Sequence, residues 1–375
     1  MLEKRSSALY ALVFGGALSA LLGCASSGPI VQDLGRELRA RGLDPAGVVI
    51  PFEITDEMRA WVHAQIPETT PLEERLDLLL AGLLDPRRLR IQYEARSTGT
   101  AAEVFQNRRA NCLAFTSLFV GLAREVGVPV VYLDVGDIEK FEKEGDLVVV
   151  SGHVSAGFNT GHALKILDFS QAPVAEYRRV QPISDLRAIA LYHSNRGAEA
   201  LRNGRTAEAL EWLRKAVAID PEFGGAWVNY GVAQRRSGDS RGAEAAYRKA
   251  LEVDPNALSA YQNLAALLRL QGQEKEAADL LTVSSQLGSR NPFIYLTLGD
   301  LSLAHGRMED ARRFYRRALR LYRGNAEPYA AMGLLSLAQG DVSDATKWLK
   351  KAVSIDQENQ RVRQLAYRLG GRRSA

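Results

Sequence analysis

Cysteine and histidine are scarce in this chain, at two and five of 375 residues. No group of them has the spacing of a zinc site, and no glycine-rich loop has a phosphate-binding pattern. Neither a metal nor a nucleotide cofactor is therefore expected. The N-terminal apolar run, Ala8 to Leu22, is fifteen residues long and too short to span a bilayer. A single-signed charge excess is also lacking, since 48 Lys and Arg face 44 Asp and Glu for a formal net charge of +4.

What is present begins with an export pattern. Lys4 and Arg5 precede the apolar run, which has the length of a signal-peptide core. It ends in Leu21-Leu22-Gly23-Cys24, which resembles a bacterial lipobox. The resemblance implies cleavage before Cys24 and lipid attachment to it; an ordinary secretory signal or an uncleaved anchor is the alternative. Ala25 stands where an inner-membrane retention signal would usually place Asp. The expected location is the outer membrane, facing the periplasm, where nucleic acid is not an expected partner. The other thiol of the mature chain is then Cys112, in a compartment that oxidises thiols. It cannot be half of an intrachain disulfide.

Cys112 stands at the head of a long apolar stretch. Leu113 to Val126 carries too many apolar residues for one narrow stripe, so the pattern predicts a helix buried on most sides, stopped by Gly127 and Pro129. A helix N-terminus favours a thiolate, the nucleophilic form of cysteine. The alternative is a small buried apolar side chain. Upstream, helices are expected over 33–43, 55–66, 71–84 and 100–109, and residues 25–29 read as a flexible tether. Downstream, strands are expected over 130–135, 147–158 and 163–169, the last two joined by the turn Asn159-Thr160-Gly161. A hairpin centred there sets His153 directly opposite Asp168, with Cβ atoms about 5 Å apart. The carboxylate would then hold the imidazole tautomer while the other ring nitrogen faces the thiol. His162, beside the turn, is the alternative histidine, and His63 has no assignable partner.

A cysteine opening a core helix, then a strand, then His and Asp on successive strands resembles the transglutaminase-like superfamily. NCLAFTSLFVGLAREVGVPVVYLDV is similar to its cysteine helix and following strand, with GHVSAGF and ILDFS at the histidine and aspartate strands. The resemblance covers residues 45–185. It implies an α+β, papain-like fold and a thiol mechanism with Cys112 as nucleophile, His153 as base and then acid, and Asp168 orienting His153. The acyl-enzyme would pass to water or to an amine. The backbone N–H of Cys112 would form part of an oxyanion hole, with Gln106 as a candidate second donor. Ala110, Ser155 and Phe169 depart from the family's usual glycine, aromatic and proline.

After a non-periodic stretch over 171–185, read as a linker, the chain repeats. Ala209, Ala243, Ala277, Ala311 and Ala345 are 34 residues apart, as are Gly197, Gly231, Ala265, Gly299 and Gly333. Trp227, Tyr261, Tyr295 and Tyr329 keep the same period, with His193 in that register of the first repeat. This is the tetratricopeptide signature, an all-α solenoid of helix pairs whose small residues let helices approach closely. Five repeats are expected, over 190–223, 224–257, 258–291, 292–325 and 326–359, with a capping helix to about 370. His305 takes a polar turn position.

The expected organisation is thus a signal peptide over 1–23, a lipidated tether over 24–44, a transglutaminase-like domain over 45–185, and repeats over 190–370. Charge divides unevenly between them. Through Arg187 there are 20 basic and 24 acidic residues, leaving 28 and 20 beyond it. Arg312, Arg316 and Arg320 share one helical face in the fourth repeat, a candidate site for an acidic partner or anionic headgroups. A solvated outer face is the alternative. Two functions follow: a periplasmic thiol hydrolase or acyltransferase whose repeats recruit a protein or peptide, and an inactive version serving as a tethered scaffold.

Overall fold

A computed structural model describes residues 10–13, 27–95, 97–135, 140–144, 147–151, 154–159, 164–167, 169, 180–287 and 291–373. The chain divides into two compact units, Met1–Glu142 with Val150–Ala246, and Lys143–Val149 with Tyr247–Ala375.

In the first unit the helices α1 (Ser27–Ala40), α2 (Asp56–Gln65), α3 (Leu72–Leu84) and α4 (Ala101–Asn107) lead to α5 (Cys112–Glu125). Local chemistry sets their ends. Thr55 caps α2, and Thr100 with Glu103 forms a capping box on α4. All eleven residues from Leu113 to Ala123 are buried, as the apolar run predicts. Gly121 is where α5 meets the backbone of Phe52, because a Cβ there would lie 2.4 Å from the Phe52 carbonyl oxygen. Gly127 takes φ 74° and ends the helix.

The strands are β1 (Tyr10–Val13), β2 (Gln92–Tyr93), β3 (Arg109–Ala110), β4 (Val130–Val135), β5 (Lys140–Glu144), β6 (Leu147–Ser151), β7 (Val154–Asn159), β8 (Leu164–Leu167) and β9 (Val180–Ile183). Five of them form one sheet in the order β1-β8-β7-β4-β9, with antiparallel neighbours. Tyr132 of β4 donates its hydroxyl to Ser117 Oγ at 3.2 Å, fixing which face of the sheet meets α5.

Four expectations need correction here. The helix expected over 33–43 begins earlier, at Ser27, inside the stretch read as a tether, and its Leu34 and Leu38, apolar at i, i+4, join the core around α5. The strand expected over 147–158 is two strands, β6 and β7, in different sheets. The expected hairpin register sets Ala156 opposite Lys165, whereas Ala156 pairs with Leu167. That offset is an even number of residues, so each strand keeps its two faces. The 171–185 stretch contains β9, which pairs with β4 at the sheet edge, the place where Pro182 costs no ladder bond.

The repeats form helix pairs: α6 (Asp185–Arg202) with α7 (Thr206–Ile219), α8 (Gly224–Arg236) with α9 (Ser240–Val253), and α10 (Leu258–Leu270) with α11 (Glu274–Gln286). They continue as α12 (Pro292–Ala304) with α13 (Met308–Leu321), α14 (Ala326–Ala338) with α15 (Val342–Val353), and the capping α16 (Gln360–Arg373). Close approach explains the small residues. A Cβ on Gly197 would lie 2.4 Å from Leu213, and one on Gly299 2.2 Å from the Tyr315 ring. The recurring aromatics also reach back to the preceding turn: Trp227 Nε1 donates to Pro221 O, and the Tyr261 and Tyr329 hydroxyls to Pro255 O and Arg323 O.

No domain boundary falls at 185–190. Leu186, Ala188, Ile189, Ala190 and Tyr192 of α6 belong to the same buried cluster as α5. Arg124 near the end of α5 donates to both oxygens of Asp185 at 2.7 and 2.9 Å. Lys215 Nζ of α7 donates to Gly47 O at 2.8 Å. The first repeat is built into the N-terminal core.

Candidate functional site

Cys112 is a partly buried thiol at the first position of α5. Asn111 precedes it as the cap, with Oδ1 accepting from Ala114 N at 2.9 Å. The backbone of Asn111 is tied as well, its N–H donating to Ser97 O at 3.1 Å. Asn111 Nδ2 donates to Thr98 Oγ1 at 2.8 Å, and both residues are buried. The cysteine therefore enters the helix from a cap whose side chain is engaged at both ends.

The first turns of α5 meet two strand ends. Thr116 Oγ1 donates to the Val154 carbonyl at 3.4 Å. Phe169 stacks flat on Phe115, centroids 3.9 Å apart and planes within 6°, and meets Tyr93 edge-on at 5.9 Å. Val154 follows His153 in the chain and Phe169 follows Asp168. His153 and Asp168 themselves, with His162 and Cys24, lie outside the described residues. On the described part of β7, Val154, Ala156 and Phe158 face α5, because Ala156 is opposite Tyr132. Ser155 and Gly157 take the other face, where Leu133 fills the space a Gly157 Cβ would need.

Gln106 is the expected second oxyanion donor. It is exposed on the last turn of α4, and the chain reverses through Arg108 at φ 59° before reaching Cys112. His193 is buried in α6, where Nε2 donates to Val49 O at 3.2 Å and the ring packs 5.1 Å from Trp212. Burial pushes its pKa down to about 4, with the Val49 bond opposing and Lys215 and Arg196 adding to the fall. It is a packing histidine. His305 ends α12, its Nδ1 2.7 Å from Leu301 O.

In the second unit, a groove of about 890 Å³ runs along α12, α14 and α16, lined by Leu303, Leu334, Leu337, Asp300, Arg361 and Gln364. At its floor Arg361 donates to both Asp300 oxygens at 2.6 and 2.8 Å, and the Tyr315 hydroxyl donates to Asp300 Oδ1 at 2.8 Å. Burial opposes the Arg361 charge, but the bonds to Asp300 outweigh it and push its pKa up. On α13, Arg316 and Arg320 are exposed, whereas Arg312 is partly buried and donates to Gln339 Oε1 at 2.8 Å.

Sequence reasoning did not single out Asn111, Thr98, Glu199, Asp300 or Arg361. Asn directly before an apolar helical run is a cap signal and was available. The other four act through partners distant in sequence, which local patterns do not carry.

The tetratricopeptide repeat family matches residues 200–268 and 302–369. Among solved structures, the pilF protein of Pseudomonas aeruginosa is 25% identical, with 50% of this chain and 84% of that one covered at a TM-score of 0.45. MamA of Desulfovibrio magneticus RS-1 is 20% identical, covering 46% and 97% at 0.38. YrrB, described as a TPR protein with an unusual peptide-binding site, is 17% identical, covering 48% and 92% at 0.37. No curated protein matches the chain. With the five helix pairs, their 34-residue period and the family match in agreement, residues 200–268 and 302–369 are tetratricopeptide repeats, a scaffold for protein–protein interaction.

Proposed function

We propose that the chain is an outer-membrane lipoprotein, cleaved before Cys24 so that β1 is lost and β8 becomes the sheet edge, anchored through that cysteine and facing the periplasm. Its transglutaminase-like domain is a thiol hydrolase or acyltransferase, and its repeats bind a protein or peptide. Cys112 Sγ attacks a carbonyl as His153 takes the thiol proton and then delivers it to the leaving amine. Asp168 holds the imidazole, and the thioester passes to water or to an amine. The observation that supports this reading is convergence: Thr116 and Phe115, one turn from Cys112, touch Val154 and Phe169, the residues that follow His153 and Asp168.

A second reading, an inactive domain in a binding scaffold, is favoured by the strand faces. Val154 holds the position facing α5, so the mechanism requires the chain to leave strand alternation immediately before it.

The pH dependence of Cys112 alkylation in the full chain, read peptide by peptide so that Cys24 does not interfere, separates the two. The catalytic reading expects a profile below the ordinary thiol value of ~8.5 that returns to it in His153→Ala. A thiol indifferent to His153 moves the function to the scaffold.

A further inference from the structure

One side chain of the first repeat reaches the mount of the cysteine helix. Thr98 lies in the turn before α4, and α6 grips its backbone from both sides. Its N–H donates to Glu199 Oε1 at 3.1 Å, and its carbonyl accepts from Arg196 Nη1 at 3.4 Å. Its hydroxyl accepts from Asn111 Nδ2, and Asn111 in turn caps α5 beside Cys112. The Glu199 side chain is only 18% exposed, with Arg196 4.0 Å away. The partly buried carboxylate thus has one oxygen beside Arg196 and the other on a backbone N–H two hydrogen bonds from the helix start.

We propose that Glu199 is a positioning residue for the Cys112 thiol, so that the first tetratricopeptide repeat forms part of the site. This rests on the reading of Cys112 as nucleophile. Glu199 fixes the Thr98 backbone, Thr98 fixes the Asn111 side chain, and Asn111 sets the first turn of α5 and hence the direction of Sγ. A thiol gains reactivity at a helix start when it is held against the first N–H groups.

The test is the iodoacetamide alkylation profile of Cys112 in the full chain, compared across Glu199→Ala, Glu199→Gln and Thr98→Val, with Trp212 emission following the fold. Glu199→Ala is expected to slow alkylation at pH 7 by about threefold and to move the profile to higher pH. Glu199→Gln keeps an acceptor for the Thr98 N–H and is expected to stay with the parent protein. Thr98→Val keeps the shape but removes the link to Asn111, and is expected to follow Glu199→Ala; it carries the test if Glu199→Ala does not fold. A lowered parental profile left unmoved by these changes overturns the role of Glu199 alone. A parental profile already in the ordinary thiol range overturns both this role and the nucleophile reading. Faster alkylation with altered Trp212 emission, the mark of a loosened fold, also overturns the positioning role.

Discussion

The first and fourth repeats use one sequence template for different ends. In α6 the aromatic position is His193, whose ring nitrogen is spent on Val49, and the acidic Glu199 is spent on Thr98. In α12 the same aromatic position is Tyr295, and the acid, Asp300, is paired with Arg361 at the floor of a groove. The small-residue crossings are alike: Gly197 meets Leu213 as Gly299 meets Tyr315. A repeat's scaffold thus comes from its periodic positions, while its role comes from the positions between them, which α6 has turned toward the N-terminal core.

The largest effect that would break this contrast is loss of the Asp300 carboxylate. Asp300→Ala leaves a guanidinium only 18% exposed, and the Tyr315 hydroxyl, without their shared acceptor. It is expected to destabilise the second unit by about 3 kcal/mol, read from urea unfolding followed at Trp348. Replacing Asp300 and Arg361 together by apolar residues should recover most of it. A single substitution that costs nothing would mean that solvent in the groove already satisfies Arg361.

His193 gives the first repeat a pH dependence that the tyrosine repeats lack. Its folded pKa of about 4 lies below the ordinary histidine value of 6.5. The unfolded chain therefore binds the proton more readily, and the stabilising contribution is complete above 6.5 and lost as pH falls toward 4. Between pH 7 and 4.5 the first unit should lose about 2 kcal/mol through this residue, and His193→Phe should remove that part of the slope. Trp212, 5.1 Å from the ring, is the natural reporter. An unchanged slope in the variant would place the proton uptake elsewhere.

The same contrast explains what was legible in the sequence. The repeats follow from small residues every 34 positions, because each answers to one helix crossing that recurs. The cysteine helix follows from its unbroken apolar run and Gly127, since burial and termination are local properties. The hairpin register does not, because it depends on where the connection between β7 and β8 is centred, and the observed pairing centres it one residue later than the Asn159-Thr160-Gly161 signal implies. The α6 junction was invisible for another reason. Its buried face looks like any repeat helix, and Thr98, Val49 and Arg124, distant in the chain, reveal what covers it.

One further periodic series has a conformational rather than a steric reason. Gly204, Gly238, Gly272, Gly306 and Gly340 recur every 34 residues at the turn inside each helix pair, with φ between 71° and 91°. No neighbour lies within 4 Å of where a Cβ would stand on any of them, unlike Gly299, where Tyr315 is 2.2 Å away. A side chain at Gly272 therefore meets only the cost of left-handed backbone, about 1 kcal/mol for Ala and less for Asn, whose short amide tolerates that region. Urea midpoints should fall in the order parent, Gly272→Asn, Gly272→Ala. Gly299→Ala should cost more than either, because there the tyrosine ring must move. If Asn and Ala at 272 prove equally harmful, the left-handed turn is not what holds glycine at that position, and an unrecognised contact in the loop would have to be sought instead.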